Sequence, residues 1–312
     1  MPKPQLVYTG NVIVDLVLSV DGLPELGGDV IASSSMVTAG GGYNVMVAAA
    51  RDNFPVTFAG QYGSGVFGLV VRKALADSGF SVVQEGLEGQ DSGYCVALLD
   101  PSTERTFVTH VGAEGQLTKA DLDRVQVREQ DTVYVSGYSL AHPVNAASLP
   151  GWLAQIPKGA TVITDPSPLI DQLAPQAMSQ VLGRSNVLSA NAREARLGSN
   201  LEDLAEAAVW FSSRIQPGGV VLIRDGANGC WVFSNEIGPK PVLVEGFEVA
   251  AVDTNGAGDA FGGVFAAEFS RGAGVLKAVR RANAAAALAV TQFGPATSPT
   301  AAQIDEFLAA QA

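Results

Sequence analysis

Cysteine and histidine are all but missing from this chain of 312 residues, which carries Cys95, Cys230, His110 and His142 and no others of either kind. Cysteines so far apart exclude a disulfide framework. So few sulfur and imidazole ligands exclude a zinc site of closely spaced residues, and both facts fit a reducing cytoplasm. Positive charge is also scarce. Lys and Arg number 19 against 31 Asp and Glu, a net charge of −12, which leaves no basic face for a nucleic-acid backbone. A nucleotide remains admissible, because a local pocket rather than a whole surface holds it, and the acidity itself serves solubility. Apolar runs such as 284–290 are too short to span a bilayer, and no basic-plus-apolar leader opens the chain. A soluble, cytoplasmic protein is expected, engaging neither membrane nor nucleic acid. A G-x-x-x-x-G-K-[ST] phosphate loop is absent too.

Apolar residues, at 47% of the chain, are plentiful, enough for a substantial core and far from the composition of disorder. No internal repeat or low-complexity linker interrupts them, and the length admits two domains or one large one. Short apolar runs at 6–14, 56–60, 132–136, 161–164, 187–189 and 220–223 read as strands. Helical patterns fall between them, from Asn44 to Arg51, over 67–78, and over 201–214 with Asn200 as N-cap. This alternation predicts an α/β fold with a mostly parallel sheet covered by helices on both faces. Residues 16–38 and 93–111 break the rhythm with strand-like patches around polar turns. Within the second, 95–99, the turn 100–104 and 105–110 read as a β-hairpin.

The most informative stretch is Asp253-Thr254-Asn255-Gly256-Ala257-Gly258-Asp259-Ala260-Phe261-Gly262-Gly263. Gly256 and Gly258 allow a tight turn that aims successive N–H groups at an anion. The apolar run 260–269 reads as a helix, placing those groups at its positive end. Asp259 sits at the mouth of the turn, where a carboxylate can accept the proton of an attacking hydroxyl. The plainer reading is a glycine turn with an acidic helix cap.

Other candidates carry similar double readings. Asp15, at the end of the first predicted strand, can accept hydrogen bonds from a polyol or simply start a loop. Gly40, Gly41 and Gly42 let backbone approach a ligand, with Asn44 as ligand group or helix cap. Asn191 and Glu194 suit a helix N-terminus or the outer shell of a magnesium ion. Gly226 and Gly229 build a turn after Arg224. Tyr94 can stack on a ring and Arg105 can reach an oxygen, though both also read as ordinary strand residues. His110 and His142 have no sequence partner that suggests chemistry. Gly63-Ser64-Gly65-Val66-Phe67-Gly68 matches G-x-G-x-x-G between a strand and a helix, with Glu85 at the distance of a ribose-binding acid. Taken alone, it suggests an NAD-dependent dehydrogenase.

The 253–263 stretch closely resembles the D-T-x-G-A-G-D signature of the ribokinase family, the PfkB-type carbohydrate kinases. The resemblance continues through Arg281 to Thr291, Gly10-Asn11 to Asp15, Ala39 to Asn44, and Asn191 to Glu194, in the family's order and over nearly the whole chain. It implies a ribokinase-like α/β domain over 1–312, with a discontinuous β lid from about 16–38 and 93–111 above the sugar site. It also implies an ATP-dependent phosphotransferase acting on a hydroxyl of a sugar or nucleoside. Asp259 would be the general base, and Gly256, Ala257 and Gly258 the anion hole. Asp15, Gly41 and Asn44 would hold the acceptor, with Tyr94 and Arg105 contributing from the lid. Asn191, Arg224, Gly226, Gly229 and Asn283 would serve ATP. Glu194 would position Mg2+ mostly through water, Asp253 would lie near a monovalent cation such as K+, and the lid would offer a homodimer contact. Ile13 stands where ribokinases proper have Asn, and the pattern from Gly10 to Asp15 looks more like the family's nucleoside kinases. A non-catalytic sugar or nucleotide sensor is the remaining alternative.

Overall fold

Side chains that alternate along short strands sort the interior into two cores. In β1 (Leu6–Tyr8), Leu6 and Tyr8 join one core and Val7 the other, as the two-residue period of a strand requires. The computed structural model describes residues 3–100, 105–294 and 296–311, so 101–104 of the predicted hairpin turn at 100–104 lie outside the described residues. The large sheet runs, edge to edge, β13 (Val242–Glu245), β12 (Gly229–Phe233), β11 (Val220–Arg224), β10 (Val187–Asn191), β9 (Thr161–Asp165), β8 (Thr132–Ser136), β1, β4 (Val56–Phe58) and β5 (Ser81–Val82). It is parallel from β5 to β11, and β12 and β13 add antiparallel strands at one edge.

One core lies under α1 (Tyr43–Arg51), α2 (Val66–Asp77), α9 (Ala257–Ser270), α10 (Val275–Ala289) and α11 (Ala301–Ala310). The other lies under α3 (Lys119–Leu122), α4 (Gly137–Leu140), α5 (Pro143–Leu153), α6 (Pro175–Arg184), α7 (Ala192–Ser199) and α8 (Leu204–Ser212). In α9, Phe261, Val264 and Phe265 are buried, each worth about 1.5–3 kcal/mol of apolar burial. A buried ion cluster fixes the same helix in place. Asp52, just past α1, pairs with Arg271 at 2.7 Å and with Arg281 of α10 at 2.7 Å. Among the described residues no helix is long and apolar enough to cross a membrane.

A separate four-stranded sheet, β3 (Ser34–Gly41), β2 (Val12–Ser19), β6 (Tyr94–Leu99) and β7 (Arg105–His110), forms the lid. It begins and ends closer to the body than the predicted lid segments, since β2 starts at Val12 and β3 runs through Gly41. The strand expected at 6–14 is therefore two strands in two sheets. The chain leaves the large sheet after Thr9, whose N–H donates to Tyr134 O, and turns at Gly10, where a Cβ would stand 2.4 Å from the Tyr8 hydroxyl. Asn200 is not an N-cap. It ends α7 in the left-handed conformation with φ of 59°, and Asp203 caps α8 by accepting from Glu206 N at 2.8 Å.

Candidate active site

The carboxyl edge of the large sheet, where open α/β sheets hold ligands, gathers Ser136, Asp165, Asn191 and Arg224 from the last residues of adjacent strands. Helix α9 starts above them. Gly256 takes φ of 77°, which favours glycine, and Ala257, Gly258 and Asp259 form the first turn. The helix thus begins three residues before the predicted run 260–269, and the turn expected to bind an anion is its N-terminus. Arg224 braces that end: Nη1 donates to Gly258 O at 3.1 Å, Nη2 donates to Asp165 Oδ2 at 3.1 Å, and Glu194 Oε2 lies 3.5 Å away. A Cβ on Gly258 would come within 3.0 Å of Arg224 Nη1.

Asp259 accepts a hydrogen bond from Asn44 Nδ2 at 3.1 Å, which joins α9 to the first turn of α1. The residue is partly exposed, yet protein encloses its carboxyl deeply. That enclosure pushes its pKa up to about 7, with the Asn44 bond and Arg224 opposing and the Asp165 and Asp15 charges reinforcing. Asn44 does not cap its helix; Gly42 occupies that position. The Asn44 Oδ1 atom is buried and accepts from no partner among the described residues.

The lid contributes Asp15 from the middle of β2 rather than from the end of the first strand, in register with Thr38 on one side and Cys95 on the other. Burial raises its carboxyl to about 6. Gly40 makes room for it, because a Cβ there would stand 2.0 Å from Asp15 Oδ2, and Gly41 turns the chain with φ of 61°. Tyr94 does not face this site. It pairs with Val14, one residue out of step with Asp15, so it points to the opposite face and packs against Phe67 at 4.8 Å and His110 at 5.4 Å. The side chain of Arg105 lies outside the described residues.

Asn191 and Glu194 form a reciprocal capping box at the start of α7. The buried Glu194 carboxyl is raised by desolvation, with the Asp165 charge adding to it. Gly226 and Gly229 have φ of 57° and 109°, and a Cβ on Gly229 would stand 2.2 Å from Val244 O. Asn283 donates from Nδ2 to Val244 O at 3.0 Å and to Glu245 O at 3.1 Å, so it holds β13 in place. Asp253 accepts from Asn255 N at 2.9 Å and Gly294 N at 3.0 Å, tying two loops together behind the Gly256 turn. Among the described residues no group of three or more His, Cys, Asp or Glu side chains is placed to hold a metal.

Sequence reasoning missed Asp165, although a lone acid closing the apolar run of β9 was a usable signal. It also missed Tyr138, about half exposed in the cleft and within the field of Asp165, Glu194 and Asp259. Asp91 was missed as well, and it overturns the dinucleotide reading of 63–68. Asp91 accepts from Phe67 N at 3.1 Å, Gly68 N at 2.7 Å and Ser92 N at 2.8 Å. Burial pushes this carboxyl up, but those backbone bonds outweigh it and hold it below its ordinary value. A Cβ on Gly65 would stand 2.4 Å from Asp91 Cγ, so a carboxylate already fills the turn where a pyrophosphate would lie. Glu85 is exposed.

This geometry defines a class. The model of the pfkB family carbohydrate kinases matches residues 3–302, and the chain belongs to that family. It is a carbohydrate kinase of the kind that phosphorylates sugar or nucleoside hydroxyls. It is 30% identical over 310 residues to the ATP-dependent ribose-1-phosphate kinase of Halopiger xanaduensis, covering 97% of this chain and 98% of that protein. Two solved structures share its fold. Arabidopsis thaliana ribokinase with ribose and ATP superposes with a TM-score of 0.80 at 23% identity, over 98% of this chain and 99% of that one. Aminoimidazole riboside kinase from Salmonella enterica, with its riboside and an ATP analogue, gives 0.81 at 24%, over 97% and 99%.

Proposed function

We propose that the cleft between α9 and the lid transfers the γ-phosphoryl group of ATP to a hydroxyl of a sugar or nucleoside. The observation that carries this reading is the bond from Asn44 to Asp259. It sets a carboxyl with a pKa of about 7 beside a helix N-terminus on one side and a buried, unpartnered amide oxygen on the other. Asp259 takes the proton of the acceptor hydroxyl as its oxygen bonds to phosphorus and the bond to the β-phosphate oxygen breaks, releasing ADP. Backbone N–H groups of the turn at Gly256 and Gly258 face the charge on the transferring group, while the Ala257 N–H donates to Thr254 O at 3.4 Å. Arg224 holds the Gly258 end of that turn in position. Asn44 Oδ1 and Asp15 orient the acceptor, and the lid keeps water from taking its place.

Asn191, Arg224, Gly226, Gly229 and Asn283 surround the donor side, the last two by shaping β13. The residues present fit Mg2+ held chiefly by phosphate oxygens and water. Glu194 and Asp165 offer carboxylates beside Arg224 but no closed ligand set. When bound, the ion neutralises phosphate charge. Asp253 supports a K+ site in the loops it joins, and activation by potassium over sodium tests this. Across the outer lid face Val37, Leu16, Val96 and Val108 stand in one register row, with Val37 57% and Val108 64% exposed. A second copy of the chain covers this row, and light scattering of Val108→Lys tests the homodimer. Lid and body act as one domain, to be checked by a single unfolding transition. Cys95 and Cys230, both unpaired, support a cytoplasmic setting, which fractionation tests.

The deciding experiment is ATP consumption over a panel of sugars, sugar phosphates and nucleosides. Dependence on one acceptor supports the reading, and consumption with none of them sinks it in favour of a sensor. The Gly10 to Asp15 pattern favours a nucleoside or other substituted sugar, and a preference for free ribose would overturn that choice.

A further inference from the structure

The lid joins the body at two places. At the first, Asn11 O accepts from Gly42 N at 2.8 Å, tying the start of β2 to the end of β3. The Asn11 side chain is fixed by His142 Nε2 at 2.8 Å and by Ser139 Oγ, which donates to Oδ1 at 3.0 Å. At the second, the β6–β7 hairpin leaves the body through Gly93 and Gly112. A single side chain holds both ends there. Glu114 accepts from Gly93 N through Oε2 at 2.8 Å and from Gly112 N through Oε1 at 2.8 Å.

Glu114 is 3% exposed, and its charge acts on His142. Its own carbonyl accepts from the fully buried Asn145 Nδ2 at 2.9 Å, and Asn145 Oδ1 accepts from Leu117 N at 2.8 Å. The backbone of Glu114 is therefore anchored to α5, which also begins beside His142. Both hinge strands are glycine where they meet it. A Cβ on Gly93 would stand 2.0 Å from Glu114 Oε1, and a Cβ on Gly112 would stand 2.4 Å from Asp91 O and from Gly93 N. A buried carboxylate is costly unless its oxygens are satisfied. Here the groups that satisfy it are the backbone N–H groups at the two ends of the hairpin.

We propose that Glu114 is the hinge clasp of the lid, a positioning residue that joins both strands of the β6–β7 hairpin to the body and so fixes how Asp15 and its sheet close over the acceptor. The register carries the effect to the site: β6 pairs with β2 along Tyr94–Leu99, which places Cys95 beside Asp15, and Val14 N donates to Gly93 O at 3.1 Å. The inference rests on the kinase reading of the cleft, and its test separates the two.

Glu114→Gln keeps the shape but replaces one acceptor oxygen with an N–H2 group that faces a backbone N–H. KM for the acceptor should rise roughly tenfold, the size of one hydrogen bond to a charged group. KM for ATP should stay within about twofold, and ATP hydrolysis without acceptor should rise relative to coupled transfer as the lid seals less well. A folded variant with unchanged acceptor KM and unchanged uncoupled hydrolysis overturns the proposal. So do equal losses toward ATP and acceptor, which mark a purely structural residue. A measurement on the wild-type protein needs neither the variant nor activity. The Gly93 and Gly112 amides should be protected from hydrogen exchange like sheet amides, although both donate to a side chain. Free exchange at either amide overturns the clasp whatever the cleft transfers.

Discussion

Helices α2 and α9 both start on glycine-rich turns, and only the turn of α2 is closed by a side chain. At α2 the turn Gly63-Ser64-Gly65 leads into N–H groups already taken by Asp91. At α9 the turn at Gly256 leads into N–H groups of Gly258 and Asp259 to which no side chain among the described residues is bonded. The acid of α9 bends away from its own helix to Asn44, 215 positions distant in sequence. A turn with open N–H groups and a capped turn thus share a motif and differ by the placement of one carboxylate. Asp91 lies 24 positions from the residue it caps, outside any short motif.

The strongest way to break this contrast is to remove the carboxylate from the open turn. Asp259→Asn keeps the size and the Asn44 contact, and kcat should fall by roughly 10²–10⁴ while ATP still binds. Near-wild-type turnover would end the assignment. The same group sets a pH dependence. As a base it works ionised, so kcat/KM for the acceptor should climb as pH passes through about 7. Stability runs the other way. A carboxyl raised from 3.8 to about 7 on folding adds stability below its unfolded value and loses it as pH rises through its folded value. Asp259→Asn should therefore melt above the wild type at pH 8, with the gap closing toward pH 4. A gap that widens in acid would contradict the burial that raises this group.

The next largest effect lies in the turn itself. Gly258→Val would press a side chain on Arg224, 3.0 Å from the Cβ position, and disturb its bonds to Gly258 O and Asp165. Transfer should drop by about 10²–10³, the loss seen when one preorganised donor is removed. A folded variant with unchanged kcat would show that the open turn is not where charge develops.

These cases mark what the sequence made legible. Apolar runs located the strands of the large sheet and the two-residue period located the lid hairpin, because burial enforces both patterns locally. The break at Thr9-Gly10-Asn11 escaped, since β1 and β2 are both apolar and only the Tyr8 hydroxyl over Gly10 forces the chain out of one sheet into another. Asn200 misled because Asn suits a left-handed helix end as well as a cap. Of the site, Asp259 and its glycines stood out as a contiguous motif. Asp165 and Tyr138 did not, because strands distant in sequence bring them there. Tyr94 was misassigned for want of register, which alone decides the face on which a strand residue lies.

Asp15→Ala probes the side of the site that the open turn faces. Loss of one charged hydrogen-bond partner should raise acceptor KM by about 10- to 100-fold and leave ATP affinity nearly unchanged. Equal losses for both substrates would make Asp15 a fold residue that merely fills the space above Gly40.

The smallest effect on catalysis belongs to the closed turn, and it sharpens the comparison most. Asp91→Ala strips α2 of its internal anion and leaves the Phe67 and Gly68 N–H groups facing an empty turn. Losing a helix-terminal carboxylate of this kind costs about 1–2 kcal/mol, which in a protein of this size lowers Tm by several degrees at most. Asp91 also accepts from Ser92 N, and its own carbonyl accepts from Ala113 N next to the lid hinge, so part of the cost is borne there. Turnover should stay within about twofold, because no group at α2 touches the transferring phosphoryl group. Calorimetry beside a steady-state assay reads both quantities. Adding NAD to the variant then asks whether an emptied G-x-G-x-x-G turn is sufficient for a dinucleotide. No binding is expected, since the emptied turn offers little beyond the Phe67 and Gly68 N–H groups. NAD binding by Asp91→Ala, absent from the wild type, would mean that one carboxylate is all that separates the two kinds of turn.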